Sequence, residues 1–210
     1  ESGVTTKIPP IFGGDGLEHE SPAHGRNTSG RRLALAKWIV KPDNPRTSRV
    51  IMNRLWQHHF GRGICATPND FGYLGERPTH PVLLDWLATE LVSKKWSLKQ
   101  MHKVIMLSQA YQMSSKGQAA SLAKDPDNKL FWRFNMRRLT AEELRDSVLA
   151  TTGRLNRKMG GPSIFIKLAP EVLATSSTKG GKWGNSPPDE QTRRSVYIKV
   201  KRSIVPPILQ

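Results

Sequence analysis

The chain has 210 residues, 37% of them apolar and six of them tryptophan, enough for one domain or two small ones and against wholesale disorder. No apolar run approaches the roughly 18–20 residues of a membrane span. The single cysteine, Cys65, rules out an internal disulfide, a CxxC zinc site and a CxxCH haem attachment within the chain. The formal net charge is +16, and it is not a basic tail: residues 1–30 carry −2, 31–115 carry +8, 116–154 carry +3 and 155–210 carry +7. Such a field favours polyanionic partners, namely nucleic acid, a sulfated or carboxylated glycan, or an acidic protein domain.

Residues 1–29, rich in Gly, Pro, Ser and His, read as a linker or extended arm. The start "ESGVTTKIPP" and the end "SIVPPILQ" suggest a fragment of a larger protein. A first helix is expected over 30–41, with Ser29 as N-cap and Leu33, Ala36 and Val40 on one face. Pro42 stops it. Asn44 and Pro45 open a second helix that runs to about Phe60, with Val50, Ile51 and Leu55 as its apolar stripe and Gly61 as its stop. Residues 61–79 form a loop, and Thr79 is expected to cap a third helix through "HPVLLDWLATELV". Ser97 and Gln100 have capping-box spacing for a fourth helix, "LKQMHKVIMLSQAYQ".

Residues 114–136 are polar and turn-rich. The clearest local signal follows in "RRLTAEELRDSVLATTGRL", where Thr140 and Glu143 make a capping box, Leu139 and Leu144 occupy staple positions and Gly153 ends the helix. Residues 155–192 read as an irregular Gly/Pro-rich segment. In "RRSVYIKVKRSIV" the alternation of Val196, Ile198 and Val200 with Tyr197, Lys199 and Lys201 predicts a strand over part of 193–210. The expected fold is therefore mainly α: a compact multi-helix domain over 30–154, with a small β element near the C-terminus.

Candidate chemistry concentrates in "NRLWQHHFGRG", residues 53–63. His58 and His59 are adjacent, about 100° apart around a helix, so they do not share one metal ion easily, and no metal site is assigned. The bland reading makes His58 a continuation of the stripe of Ile51 and Leu55, with His59 and Phe60 on the side of Met52 and Trp56. The anion reading uses Arg54, Trp56, His59 and Arg62 as ligand-binding groups, against the opposing dipole of a helix C-terminus. For acid–base catalysis the available groups are His58, Asp70, His80 and Asp85. No G-x-S-x-G, H-E-x-x-H, P-loop or G-x-G-x-x-G motif is present. Trp183, in "KGGKWGNS" beside Lys179 and Lys182, reads either as a stacking platform for a sugar or base or as a lid on its own domain.

The segments "NRLWQHHFGRGICATPNDFGYLGERPTHPVLLDWLATEL", "WSLKQMHKVIMLSQAYQMSS", "DPDNKLFWRFNMRRLTAEELRDSVLATTGRLNRKMGGPS" and "RRSVYIKVKRS" resemble a planctomycete-type domain of unknown function. That domain lies near the C-terminus of large exported proteins that often carry cytochrome-c-like domains. The resemblance implies an extracytoplasmic (periplasmic or secreted) bacterial protein. It also implies no haem in this chain, any haem belonging to other domains, and an association with machineries for complex, often sulfated, polysaccharides. It assigns no residue a role.

Three functions follow as expectations. The first is a basic module that binds an acidic, possibly sulfated, glycan or an acidic partner domain and works beside other domains of the same full-length protein. The second is an enzyme acting on complex polysaccharide through a His/Asp/Arg site around the 61–79 loop. The third is nucleic-acid binding, which charge alone supports and an exported location disfavours.

Overall fold

The computed structural model describes residues 29–174, 183–201, 204, 206 and 207. Helix dominates, as the sequence predicts. The helices are α1 (Arg31–Ile39), α2 (Pro45–Phe60), α3 (Pro81–Ser93), α4 (Leu98–Met106), α5 (Gln109–Gln112), α6 (Ala119–Lys124), α7 (Ala141–Thr151) and α8 (Pro170–Ala174). The chain divides into two compact units between Met136 and Arg137. Helix α7, which the sequence groups with the preceding helices, thus belongs to the second unit.

In the first unit α2 is the organising helix. Asn44 accepts from the Arg46 N–H at 3.2 Å, Pro45 sits at the start, and Gly61 ends the helix at φ +82°, where a Cβ would be strained. Its buried face is Met52, Leu55, Trp56 and Phe60, which pack against Leu84, Leu87 and Leu91 of α3, Met101 and Ile105 of α4, and Phe131. Trp56 stacks on Phe60 at 4.2 Å between centroids and meets the edge of Phe131 at 5.4 Å. The expected stripe of Val50, Ile51 and Leu55 is corrected: Ile51 is exposed, and the buried line runs one residue later, through Met52 and Trp56.

Three expected starts also shift. Gly30, not Ser29, is the N-cap of α1, and only Ala34 of that helix is buried, while Leu33 and Val40 stay exposed. His80 occupies the N-cap of α3, because the Thr79 hydroxyl is spent on the Ile64 carbonyl at 3.2 Å and on the His80 ring. Ser97 caps α4 by position, without a side-chain bond. The helix expected to continue to Gln112 breaks at Leu107. There Ser108 turns its hydroxyl onto the Ile105 carbonyl at 2.6 Å and accepts from the Tyr111 N–H to start α5.

In the second unit, α7 has the predicted capping box. Thr140 Oγ1 accepts from the Glu143 N–H at 3.2 Å, and the Glu143 carboxylate accepts from the Thr140 N–H at 2.8 Å. Arg137 and that backbone bond hold the Glu143 carboxyl down at about 2. Leu139 and Leu144 remain exposed.

Within the segment where a strand is predicted, Ser195–Tyr197 form a 3-10 turn. Asp146 accepts from both the backbone N–H of Ser195, at 2.8 Å, and its hydroxyl, at 2.7 Å, and that local grip tightens the chain into a turn. Of the alternating residues only Ile198 is buried. Among the described residues pairing is limited to isolated bridges, Asn156 with Arg193, Ile164 with Ile198 and Lys201 with Ile204.

Candidate functional site

The side chains singled out in residues 53–63 leave α2 in different directions. Trp56 is core, and its indole N–H is buried without an acceptor among the described residues. His58 is exposed, which corrects its place on the buried stripe: it lies about 200° around the helix from Trp56. Arg54 is also exposed and donates to Asn69 Oδ1 at 2.9 Å. Arg62, after the helix, pairs with Glu76 at 3.1 Å.

His59 takes a partner that sequence reasoning overlooked. Its Nε2 lies 2.8 Å from Nδ1 of His102 on α4, and its ring meets Tyr111 of α5 edge-on at 5.4 Å. Burial, then the neighbouring His102 and His58, pushes His59 below its ordinary 6.5. One ring must donate and the other accept, so the pair needs at least one neutral imidazole. The unfolded chain then takes up a proton below pH 6.5 that folded His59 resists. Stability from this contact is present above 6.5 and falls as the pH drops through the lowered value. His59→Phe is expected to flatten that acid limb of the stability curve, measured by urea unfolding between pH 7 and 5. An unchanged slope would show the pair to be silent.

The four acid–base candidates do not converge. Asp70 organises its own turn, Oδ1 accepting from the Gly72 N–H at 2.8 Å. His80 Nδ1 meets Thr79 Oγ1 at 2.9 Å and its ring lies against Phe131. Asp85 is held by Arg49, Nη2 at 2.6 Å and Nε at 2.7 Å from one oxygen. That pair lies on a shallow groove of about 350 Å³, lined also by Pro42, Pro45, Ser48 and Thr89. No hydrogen bond joins any two of His58, Asp70, His80 and Asp85 among the described residues. Nor do three or more His, Cys, Asp or Glu side chains gather as a metal would need, again among the described residues.

Asn53, fully buried on α2, closes the base of the loop. Its Nδ2 donates to the Cys65 carbonyl at 2.9 Å and its Oδ1 accepts from the Cys65 N–H at 2.8 Å. Gly63 lies on that amide so closely that a Cβ would stand 2.8 Å from Asn53 Nδ2. The family pattern of PSD1, described as a protein of unknown function (DUF1553), matches residues 31–210.

The chain belongs to the PSD1 family.

No curated protein and no solved structure matches it. The match spans both compact units, so the PSD1 region includes Trp183 as well as the helical bundle. In the second unit Trp183 Nε1 donates to the Ile166 carbonyl at 2.9 Å, and its ring stands edge-on to Phe165 at 5.3 Å. Those contacts leave it half-buried against its own unit. Lys179 and Lys182, its expected companions, lie outside the described residues. Sequence reasoning also missed the charged lattice of the PSD1 second unit, where Arg145 Nη2 donates to the Gln191 carbonyl at 2.6 Å and Arg193 is wholly buried. Asn53 carried one faint signal: a polar residue on the same helix face as Trp56 and Phe60, followed by a Gly-x-Gly.

Proposed function

We propose that this PSD1 chain is a basic, non-catalytic module that binds an acidic, possibly sulfated, glycan. The reading treats it as part of an exported bacterial multidomain protein of the planctomycete, cytochrome-associated type. On this reading it works outside the cytoplasm, and haem, where the full protein has it, belongs to other domains. The observation that carries the proposal is the excess of 33 Lys and Arg over 17 Asp and Glu. The dispersal of the acid–base candidates supports it: Asp85 is tied to Arg49, Asp70 to its own turn and His80 to Thr79. Exposed cations such as Arg77, Lys99 and Lys103 are of the kind that follow a carboxylated or sulfated chain.

The test is binding to a sulfated polysaccharide, a neutral polysaccharide and duplex DNA, each across a salt series. The expected result is strong binding to the sulfated glycan that weakens steeply with salt and exceeds DNA binding at equal charge density. Equal affinity for both polyanions, or affinity indifferent to salt, would overturn it. Turnover of any glycan that His58→Ala or Asp85→Asn abolishes in a folded protein would favour the enzyme reading instead.

A further inference from the structure

The 61–79 loop buries Ile64 and Cys65 at its base and holds the apolar residues of its tip outward. Tyr73 is 101% exposed, Leu74 89% and Phe71 38%. The loop that carries them is not loose. The Asp70 N–H donates to the Thr67 carbonyl at 3.0 Å and the Gly75 N–H to the Gly72 carbonyl at 3.2 Å. Thr67 Oγ1 donates to the Asp70 carbonyl at 2.7 Å and accepts from the Glu76 N–H at 3.0 Å. The base is pinned by Arg62 on Glu76 and by Cys65 Sγ on the Glu76 carbonyl at 3.2 Å. A Cβ at Gly75 would collide with the Asp70 carbonyl, so the turn takes glycine there for space. The backbone is hydrogen-bonded through the turn, yet the side chains of Tyr73 and Leu74 touch little of the protein. Such a tip loses little further freedom when something covers it.

We propose that this tip is a wedge that enters the interfacial layer of an anionic lipid surface. Size and charge choose that occupant. Two or three side chains of this kind offer on the order of 400 Å², about half of the roughly 800 Å² that each side of a stable protein interface contributes. A second copy of the chain is disfavoured by mutual repulsion at +16. A bilayer accepts a small apolar wedge when a second, electrostatic signal accompanies it. Here that signal is the chain's positive charge, with exposed Arg77 on the loop and Arg54 beside it on Asn69. The two loop carboxylates are already engaged, Glu76 by Arg62 and Asp70 by the Gly72 N–H. Tyrosine suits the water–lipid boundary, with its ring in the apolar layer and its hydroxyl in water. No span is involved: no helix among the described residues is long and apolar enough to cross a membrane.

The inference goes beyond the glycan reading, and its test separates the two. The intact chain and the double variant Tyr73→Ser/Leu74→Ser are co-sedimented with two kinds of vesicle, phosphatidylcholine alone and phosphatidylcholine mixed with phosphatidylglycerol. Both are also titrated with the sulfated polysaccharide. The substituted side chains are exposed, so the variant keeps its fold, which circular dichroism checks. The intact chain is expected to bind the mixed vesicles and the double variant to bind them about tenfold more weakly or worse, with sulfated-glycan affinity unchanged. A fluorophore on Leu74→Cys, with Cys65 buried, should shift to the blue on mixed vesicles and not on neutral ones. Equal vesicle binding by both proteins would reduce the effect to charge and overturn the proposal. No vesicle binding by the intact chain would overturn it too, leaving a protein pocket as the occupant. Loss of glycan binding with vesicle binding kept would overturn the glycan reading alone.

Discussion

Arg193→Met is expected to destabilise the second unit by about 3–5 kcal/mol. Arg193 is 0% exposed, and its guanidinium is satisfied from several sides. Nε and Nη2 each donate to the Lys158 carbonyl at 3.3 Å, Nη2 also to the Gly160 carbonyl, and Nη1 to Glu190 at 3.2 Å. Tyr197 covers the cation at 3.8 Å from its ring centroid. Methionine would fill the volume but take this donor from three backbone carbonyls, those of Lys158, Gly160 and Pro162. It would also leave Glu190 with Lys158 as its remaining cation, at 2.5 Å. Lysine in place of Arg193 is not expected to rescue, since one ammonium cannot match a planar fork that reaches Lys158, Gly160 and Glu190 together. Urea unfolding of the intact chain, followed by limited proteolysis around residues 157–163, measures this. A change below about 1 kcal/mol would show the lattice to be an ornament of the fold and not its support.

The second large effect is expected at Asn53. Asn53→Ala removes both bonds to the Cys65 backbone in a place without water access, Asn53 being 0% exposed. A stranded buried donor and acceptor cost about 1–3 kcal/mol each, so the total is about 2–6 kcal/mol. Asn53→Asp is expected to fare no better, because the acid keeps the acceptor, loses the donor and buries a charge. Tryptophan fluorescence during urea unfolding reads the change, with Trp56 on the same helix face as Asn53. If Asn53→Ala unfolds at the wild-type midpoint, the amide bridge is not what joins α2 to its loop.

These two residues show where sequence reasoning stopped. Arg193 was legible only as the first residue of a basic alternating run. Its acceptors are mainly carbonyls of residues 158–162, which any sequence supplies, so nothing in the letters marks it for burial. Asn53 is similar, because its partner is a backbone twelve residues on. The pairing of His59 with His102 spans 43 residues and depends on how α4 lies against α2. The loop over 61–79 offers acid–base groups for one of the three readings; in the structure Thr67, Asp70, Arg62 and Glu76 bond within the turn, while Tyr73 and Leu74, which carry no chemical signature, face the solvent.

What the sequence determined by itself is local. Asn44, Pro45 and Gly61 bound α2, and Thr140 with Glu143 opens α7, since each signal is a hydrogen bond or backbone preference completed within a few residues. The mainly helical class follows from several such signals in series. Tertiary structure alone decided which face of each helix is covered, and therefore why Ile51 and His58 are exposed while Met52 and Asn53 are buried. It also decided that the alternating run opens as a 3-10 turn over Ser195–Tyr197, where Asp146 accepts from the Ser195 N–H and hydroxyl, and that among the described residues its pairing is limited to isolated bridges at Ile198 and Lys201, since a strand needs a neighbour along its length.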